Sequence, residues 1–301
     1  YLHLLHLYPL MRTDGWPIYK AIMQKKYPFA MYVHGSEVQK YSARPFDMDS
    51  SLIGILKRLK KDILLVYFMK KFVNGTKLNK LSHFVFPSFW MKDEMENNLN
   101  VIIEKFDVIA NGIETDMFKF SNSYDKRYRI LALRPLSSMK YAVDIAIDIM
   151  RFLPAEYSLD IFGKGKYEKT FKELINRYSL QDRINIHNTF INKFDMPDFF
   201  SKYGISMSTT RMDAQGVSMC EAMSSGLLTV SNNNTAIPEF IKDMKTGILG
   251  ETPKELADKI LEVTSDQNLF ENITLSGRKS MEEINVEITC KEELNILKKI
   301  A

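Results

Sequence analysis

The chain has 301 residues, 45% of them hydrophobic, with 41 Lys/Arg against 37 Asp/Glu and a formal net charge of +4. That is enough for two domains with their own cores, while the longest apolar run, Ile63 to Met69, falls far short of the roughly 20 residues that span a bilayer. The composition also speaks against a nucleic-acid partner, which would need a basic arm, zinc spacing or an RNP-like aromatic pair, and against a metal centre, since the five histidines form no HExxH or other ligand cluster.

The opening YLHLLHLYPL reads as the interior of a domain, so the chain is expected to be part of a longer one. Apolar strand-like runs then alternate with amphipathic stretches, the pattern of a parallel sheet covered by helices. Strands are predicted near Leu2–Leu7, Phe29–Val33, His83–Phe86 and Lys105–Ile109, with helices near Gly15–Lys25, Ser51–Lys71 and Phe89–Asn97 between them. The turn-rich ANGIETDMF, residues 110–118, marks a boundary. A second series follows, with strands at Tyr128–Leu133, Ser158–Phe162, Ile184–His187, Ile205–Ser208 and Leu227–Val230. Its helices are predicted at Lys140–Phe152, Tyr167–Tyr178, Met196–Lys202, Pro238–Asp243 and Pro253–Glu262, and the tail from Glu282 to Ala301 is helical, with Lys298 and Lys299 at its carbonyl end. The fold class is therefore α/β: two doubly wound, Rossmann-like domains, with ligands at the carboxyl ends of the strands. The division is a partial N-terminal domain over 1–118, a C-terminal domain over 119–281 and a final helix over 282–301. Cys220 and Cys290, the only cysteines, suit a reducing, cytoplasmic setting.

Charge is uneven, with 17 Lys/Arg against 12 Asp/Glu in residues 1–122 and 24 against 25 in the rest. In LKRLKKDILLVYFMKKF, residues 56–72, basic residues flank an apolar stretch, as in helices that lie on anionic lipid. A core helix with snorkelling lysines is the competing reading; peripheral contact with the inner face of the cell membrane is the functional one.

The stretch RMDAQGVSMCEAMSS (211–225) carries the most chemistry. It leaves the carboxyl end of a strand, passes Gly216 and enters a short helix that Ser218 is expected to cap. The amides of Val217, Ser218 and Met219 then favour an anion, phosphate above all, and Gly216 allows close approach to the backbone. Glu221, one turn in, can accept two hydrogen bonds from a vicinal diol such as a ribose, and Asp213 can hold sugar hydroxyls. On spacing alone, a loop acid and a helix-dipole acid explain these two positions equally well. Arg134 and Lys140 place two cations at the carboxyl edge of one strand, which a diphosphate would offset. Gly163 and Gly165 follow another strand, but a lone GxG is often only a tight turn.

Together these stretches resemble the GT-B glycosyltransferases, in particular the large retaining family 4, or glycosyl transferases group 1. D-x7-E with AMSSG is similar to that family's E-x7-E motif, VIANGIETDMF to its interdomain segment, LALRPLSSMK to its Arg/Lys diphosphate pair, and LDIFGKG to its glycine-bearing strand end. YVHGSE (32–37) and FPSFWMKDEM resemble motifs of its N-terminal domain. The resemblance implies a GT-B fold, two such domains facing across a cleft, the first incomplete. It implies that Arg134, Lys140 and the backbone of Gly216, Val217 and Ser218 hold the donor diphosphate, that Glu221 binds the ribose, and that Asp213 and His34 face the reacting sugar. Asp213 stands where the family has Glu, Glu37 where Asp is common, and Thr235–Ala236 where a Gly pair is frequent; the family's first strand and glycine-rich loop have no counterpart. The implied activity is a retaining, metal-independent hexosyl transfer from a nucleotide diphosphate sugar, of uridine type, to a saccharide or lipid-linked acceptor in bacterial surface polysaccharide or glycolipid assembly. No cofactor is expected beyond that co-substrate. A non-catalytic nucleotide-binding or scaffold module, or a sugar phosphorylase or epimerase on the same fold, are the alternatives.

Overall fold

A computed structural model of the protein describes residues 2–4, 16–35, 38–44, 46, 51–78 and 82–300. Residues 5–7 of the first predicted strand and Glu37 lie outside the described residues. By packing, the chain forms two compact units, residues 1–111 with 287–301 and residues 112–286.

Among the described residues the first unit is built on four parallel strands, β1 (Leu2–Leu4), β2 (Phe29–Tyr32), β3 (Ser82–Phe86) and β4 (Phe106–Val108), in that spatial order. The connections carry α1 (Trp16–Lys25), α2 (Leu52–Thr76) and α3 (Phe89–Leu99). Ser51 caps α2 through the Gly54 amide, and Ser88 caps α3 through the Met91 amide, each satisfying a donor that the first helical turn leaves over. Successive strand residues face opposite sides of the sheet. Phe29 meets Phe84 and Phe72 of α2 at ring centroids of 5.8 and 5.4 Å, and Tyr19 of α1 meets Phe72 at 4.9 Å. Ala30, Tyr32 and Val85, together with Ile109, bury the other way, against Ile296 and Ile300 of the final helix (Val286–Ile300). That helix therefore belongs with the first unit rather than standing alone, because its apolar stripe covers a face of that sheet.

The second unit has six parallel strands, β5 (Arg129–Leu133), β6 (Ser158–Phe162), β7 (Ile184–His187), β8 (Ile205–Met207), β9 (Leu228–Asn232) and β10 (Ile248–Gly250). Their spatial order is β10-β9-β8-β5-β6-β7. Its helices are α4 (Val143–Ile149), α5 (Glu168–Arg177), α6 (Met196–Phe200), α7 (Val217–Ser224), α8 (Ile237–Phe240), α9 (Pro253–Ser265) and α10 (Gln267–Glu282), and the final helix is α11. Ile130 and Ala132 of β5 join Leu159, Ile161, Ile205 and Met207 in a core closed by α4, α9 and α10, while Leu131 joins Phe118, Phe200 and Ala222 on the opposite side. Both faces of β5 are buried, which is why its residues 130–133 read as an unbroken apolar run. The chain runs outward from β5 through β6 to β7, then returns to the other side of β5 as β8, so a topological switch point lies between β5 and β8, where this architecture binds ligands.

Several expectations are corrected. Lys140 does not open a helix: it sits in a 3-10 turn (Met139–Tyr141), and α4 starts at Val143 after Ala142 adopts a left-handed φ of 49°. The helix predicted to run to Asp243 is the single turn α8, and β10 and α10 are additional elements. The boundary segment 112–118 is bound into the second unit. Arg278 of α10 donates from Nη1 to the carbonyls of Thr115 (3.0 Å), Phe118 (2.7 Å) and Ser224 (3.2 Å), the last at the carbonyl end of α7, where a cation is favoured.

Candidate functional site: a diphosphate cradle at the switch point

Arg134 is the first residue after β5 and is only 4% exposed. Its Nη2 donates to the carbonyl of Ser208, just past β8, at 2.6 Å, so the side chain lies across the switch point. Its Nε is buried and has no hydrogen-bond partner among the described residues. Burial pushes the guanidinium below its usual value, opposed by the Asp213 carboxylate and by Tyr141. A cation desolvated to this degree without a bonded acid is costly, and an anion arriving at the strand ends would supply the missing charge.

The loop from Thr209 to Gly216 is held from three sides. Asn232, at the end of β9, accepts from the Thr210 amide (2.8 Å) and donates to its carbonyl (2.6 Å), and Asn234 donates to the same carbonyl (2.8 Å). Arg211 forms a two-pronged pair with Asp144 of α4 (2.8 and 2.6 Å) and donates to the Met139 carbonyl at 2.7 Å, while its own amide donates to the Lys140 carbonyl at 2.7 Å. The turn bearing Lys140 and the loop bearing Asp213 are thereby tied together. Asp213 Oδ1 accepts from the amides of Gln215 (3.2 Å) and Gly216 (2.9 Å), so one carboxylate oxygen shapes the loop.

Gly216, not Ser218, occupies the cap position of α7; its φ of 78° is left-handed, which a side chain there would disfavour. The Gly216 carbonyl accepts from Met219 (2.9 Å) and Cys220 (3.1 Å), which leaves Val217 and Ser218 as the helix-start amides available to an anion. One turn on, the half-buried Glu221 carboxyl is pushed up to about 7, chiefly by burial and further by Glu114, against the opposing pull of Lys193. Lys193 and Glu114 themselves pair at 2.7 Å.

Gly163 and Gly165 serve this site from behind. A Cβ on Gly163 would lie 2.0 Å from the Arg134 carbonyl oxygen, and one on Gly165 2.0 Å from the Leu136 carbonyl carbon. The two βα loops pack backbone to backbone, with the Arg134 amide donating to Phe162 and the Leu136 amide to Lys164, both at 3.0 Å. Gly163→Ala should therefore cost about 1–3 kcal/mol through overpacking and weaken anion binding by shifting Arg134. Urea denaturation checks the first effect and nucleotide calorimetry the second; a parental midpoint would contradict the close approach.

The second unit thus brings together Arg134, Lys140, Asp213, Gly216, Val217, Ser218 and Glu221. His34 is exposed and lies in the first unit, two residues beyond the carboxyl end of β2. No local sequence pattern marks Arg211, Asp144, Asn232 or Asn234 as parts of the site. Among the described residues no group of three His, Cys, Asp or Glu could hold a metal ion, and no helix is long and apolar enough to cross a membrane.

Comparison with known proteins places this geometry. The amylovoran biosynthesis glycosyltransferase AmsK of Erwinia amylovora is 26% identical over 211 residues, 66% of this chain and 52% of that protein. The chain spans about half the length of the curated relatives it matches. Among solved structures, Anabaena HepE in complex with UDP superposes with a TM-score of 0.73 at 16% identity, covering 95% of this chain and 76% of HepE. Sucrose-phosphate synthase of Thermosynechococcus elongatus gives 0.74 at 14% identity, covering 95% and 72%. These likenesses show the fold, that of the GT-B glycosyltransferases, as the resemblance implied. The profile of glycosyl transferases group 1 matches residues 113–280, which hold the buried arginine, the bound loop and the helix start described above. More than half of the chain carries that match, and the chain belongs to the glycosyl transferases group 1 family.

Proposed function

We propose that the second unit binds a nucleotide diphosphate sugar, and that the protein passes the sugar to a hydroxyl of a saccharide or lipid-linked acceptor with retained anomeric configuration. The observation that carries this reading is Arg134, a buried guanidinium with an unpartnered Nε, beside a helix start that leaves two amides over. In this reading Arg134, Lys140 and the amides of Val217 and Ser218 stabilise the diphosphate as the bond from the anomeric carbon to its oxygen breaks. Preorganised charge of this kind is commonly the largest catalytic contribution. The acceptor oxygen attacks on the face that the diphosphate leaves, and its proton passes to the departing phosphate oxygen. Glu221 holds the ribose, and Asp213 faces the transferred sugar through the oxygen not used by the loop. No step calls for a metal. HepE was solved with UDP, so a uridine donor is the first to test, and the name of AmsK supports a surface polysaccharide as the product class.

A thermal-shift series of the chain with UDP, GDP, ADP and TDP, without metal, tests the donor site. One nucleotide should raise the melting temperature, and Glu221→Ala should abolish that rise; no response to any of the four would overturn the reading. A second reading, nucleotide binding without transfer, is favoured by one observation: Asp213 commits an oxygen to its own loop. Binding of a nucleotide with no consumption of the matching nucleotide sugar would select it, and the anomeric proton coupling of any product settles retention.

A further inference from the structure

The first unit carries a feature that the donor site does not use. Helix α2 has two apolar faces. One is in the core, where Met69 and Phe72 are fully buried and Val73 is 5% exposed. The other is open: Leu52, Leu56, Leu59, Ile63 and Tyr67 recur every three or four residues and are 79, 65, 52, 68 and 55% exposed. Ile53 and Leu64 widen this stripe. From Leu52 to Tyr67 it runs about 22 Å at the helical rise. Exposed apolar surface of this extent marks an interaction site.

Charge identifies what the face meets. Between Leu52 and Thr76 the helix carries Lys57, Arg58, Lys60, Lys61, Lys70 and Lys71 against one acid, Asp62. That acid is buried and accepts from the Ser42 amide at 3.1 Å. Lys57 and Lys60 are exposed beside the stripe, and Lys71 lies over the Tyr67 ring at 5.6 Å. A second copy of the chain would set this basic helix against its own like charges, which opposes a symmetric pairing. Aliphatic side chains with flanking lysines and a tyrosine at the margin suit a surface that is apolar inside and anionic outside.

We propose that the exposed face of α2 docks on an anionic lipid surface, with Leu52, Leu56, Leu59 and Ile63 entering the acyl boundary and Lys57, Lys60 and Lys71 at the headgroups. The proposal goes beyond the donor-site reading and does not depend on it, because lipid binding needs no nucleotide.

The test is co-sedimentation of the chain with phosphatidylcholine vesicles, pure or with about a third phosphatidylglycerol. The chain should partition at least about tenfold more strongly onto the anionic vesicles at low salt and lose that preference near about 0.5 M salt, where screening is strong. Leu56→Glu with Ile63→Glu should reduce partitioning at least about tenfold with an unchanged melting temperature, since both positions are exposed. Lys57→Glu with Lys60→Glu should remove the preference for anionic vesicles. Absence of binding, equal binding to both vesicle types, or parental binding by the Leu56/Ile63 double variant would each overturn the proposal. So would a dimer that this variant dissociates, which would assign the face to a second copy.

Discussion

Replacing Arg134 with Met should remove nucleotide binding while leaving the fold intact or slightly more stable. The two effects have opposite signs because the same burial produces both. In the free protein the guanidinium is desolvated, with a single bonded carbonyl and an unpartnered Nε. Exchanging such a buried charge for an apolar side chain of similar volume is commonly neutral or stabilising by about 1–4 kcal/mol, less about 1 kcal/mol for the lost bond to Ser208. With a diphosphate present, the variant lacks a preorganised cation in a site of low polarity, a loss of about 100- to 1,000-fold in kcat/KM. Calorimetry with the nucleotide that binds the parent, alongside thermal unfolding of both proteins, measures the pair of effects. Binding within a factor of two of the parent would show that Arg134 is not part of the donor site.

The second large effect concerns Glu221 and pH. Its carboxyl titrates near 7 in the folded chain, with burial as the main cause, against an ordinary value of 4.5. The folded state therefore holds a proton that the unfolded state has lost between those two values, so stability falls as pH rises from about 4.5 to about 7. The full shift corresponds to about 3 kcal/mol, and the partial exposure of the group reduces the expected step to about 1–3 kcal/mol. Glu221→Gln removes the charge and should be more stable than the parent by that amount at pH 8, with little difference at pH 4.5. Urea midpoints of both proteins across this range test it; parallel profiles would show that the environment of Glu221 does not disfavour its charge. The same substitution should abolish nucleotide stabilisation, since a ribose diol donates to the carboxylate. In the parent, nucleotide affinity should accordingly decline by about tenfold per pH unit below 7.

Much of the fold could be read from the chain because both sheets are parallel and their central strands are buried on two faces, so strands such as Phe29–Tyr32 and Arg129–Leu133 stand out as apolar runs between amphipathic helices. Where the reading failed, the physical signal was weak. Strand β10 has three residues, too few to display a period. In α10 the buried stripe includes Thr274 and Gly277 beside Phe270, Ile273 and Met281, so its apolar pattern is interrupted; Gly277 is needed because a Cβ there would lie 2.8 Å from the Thr246 carbonyl oxygen. Propensity favours Ser218 as the cap of α7, whereas the loop turn built on Asp213 places Gly216 there. The Arg211–Asp144 pair is 67 residues apart in sequence, so no local pattern announces it. Arg134 was legible as a cation at a strand end, but its burial and its reach to Ser208 depend on which strands become neighbours.

The first unit is discontinuous: the face formed by Ala30, Tyr32, Val85 and Ile109 is covered by Ile296 and Ile300. During synthesis the contiguous stretch 112–286 leaves the ribosome before the helix that completes the earlier sheet. That sheet must therefore wait with one apolar face uncovered, in the interval when partly assembled β structure is most prone to aggregate. A stop codon or a bulky fusion near Val286 would leave the later-encoded unit whole and injure the one translated first, so damage to a later stretch of the coding sequence would appear as misfolding of the domain encoded before it.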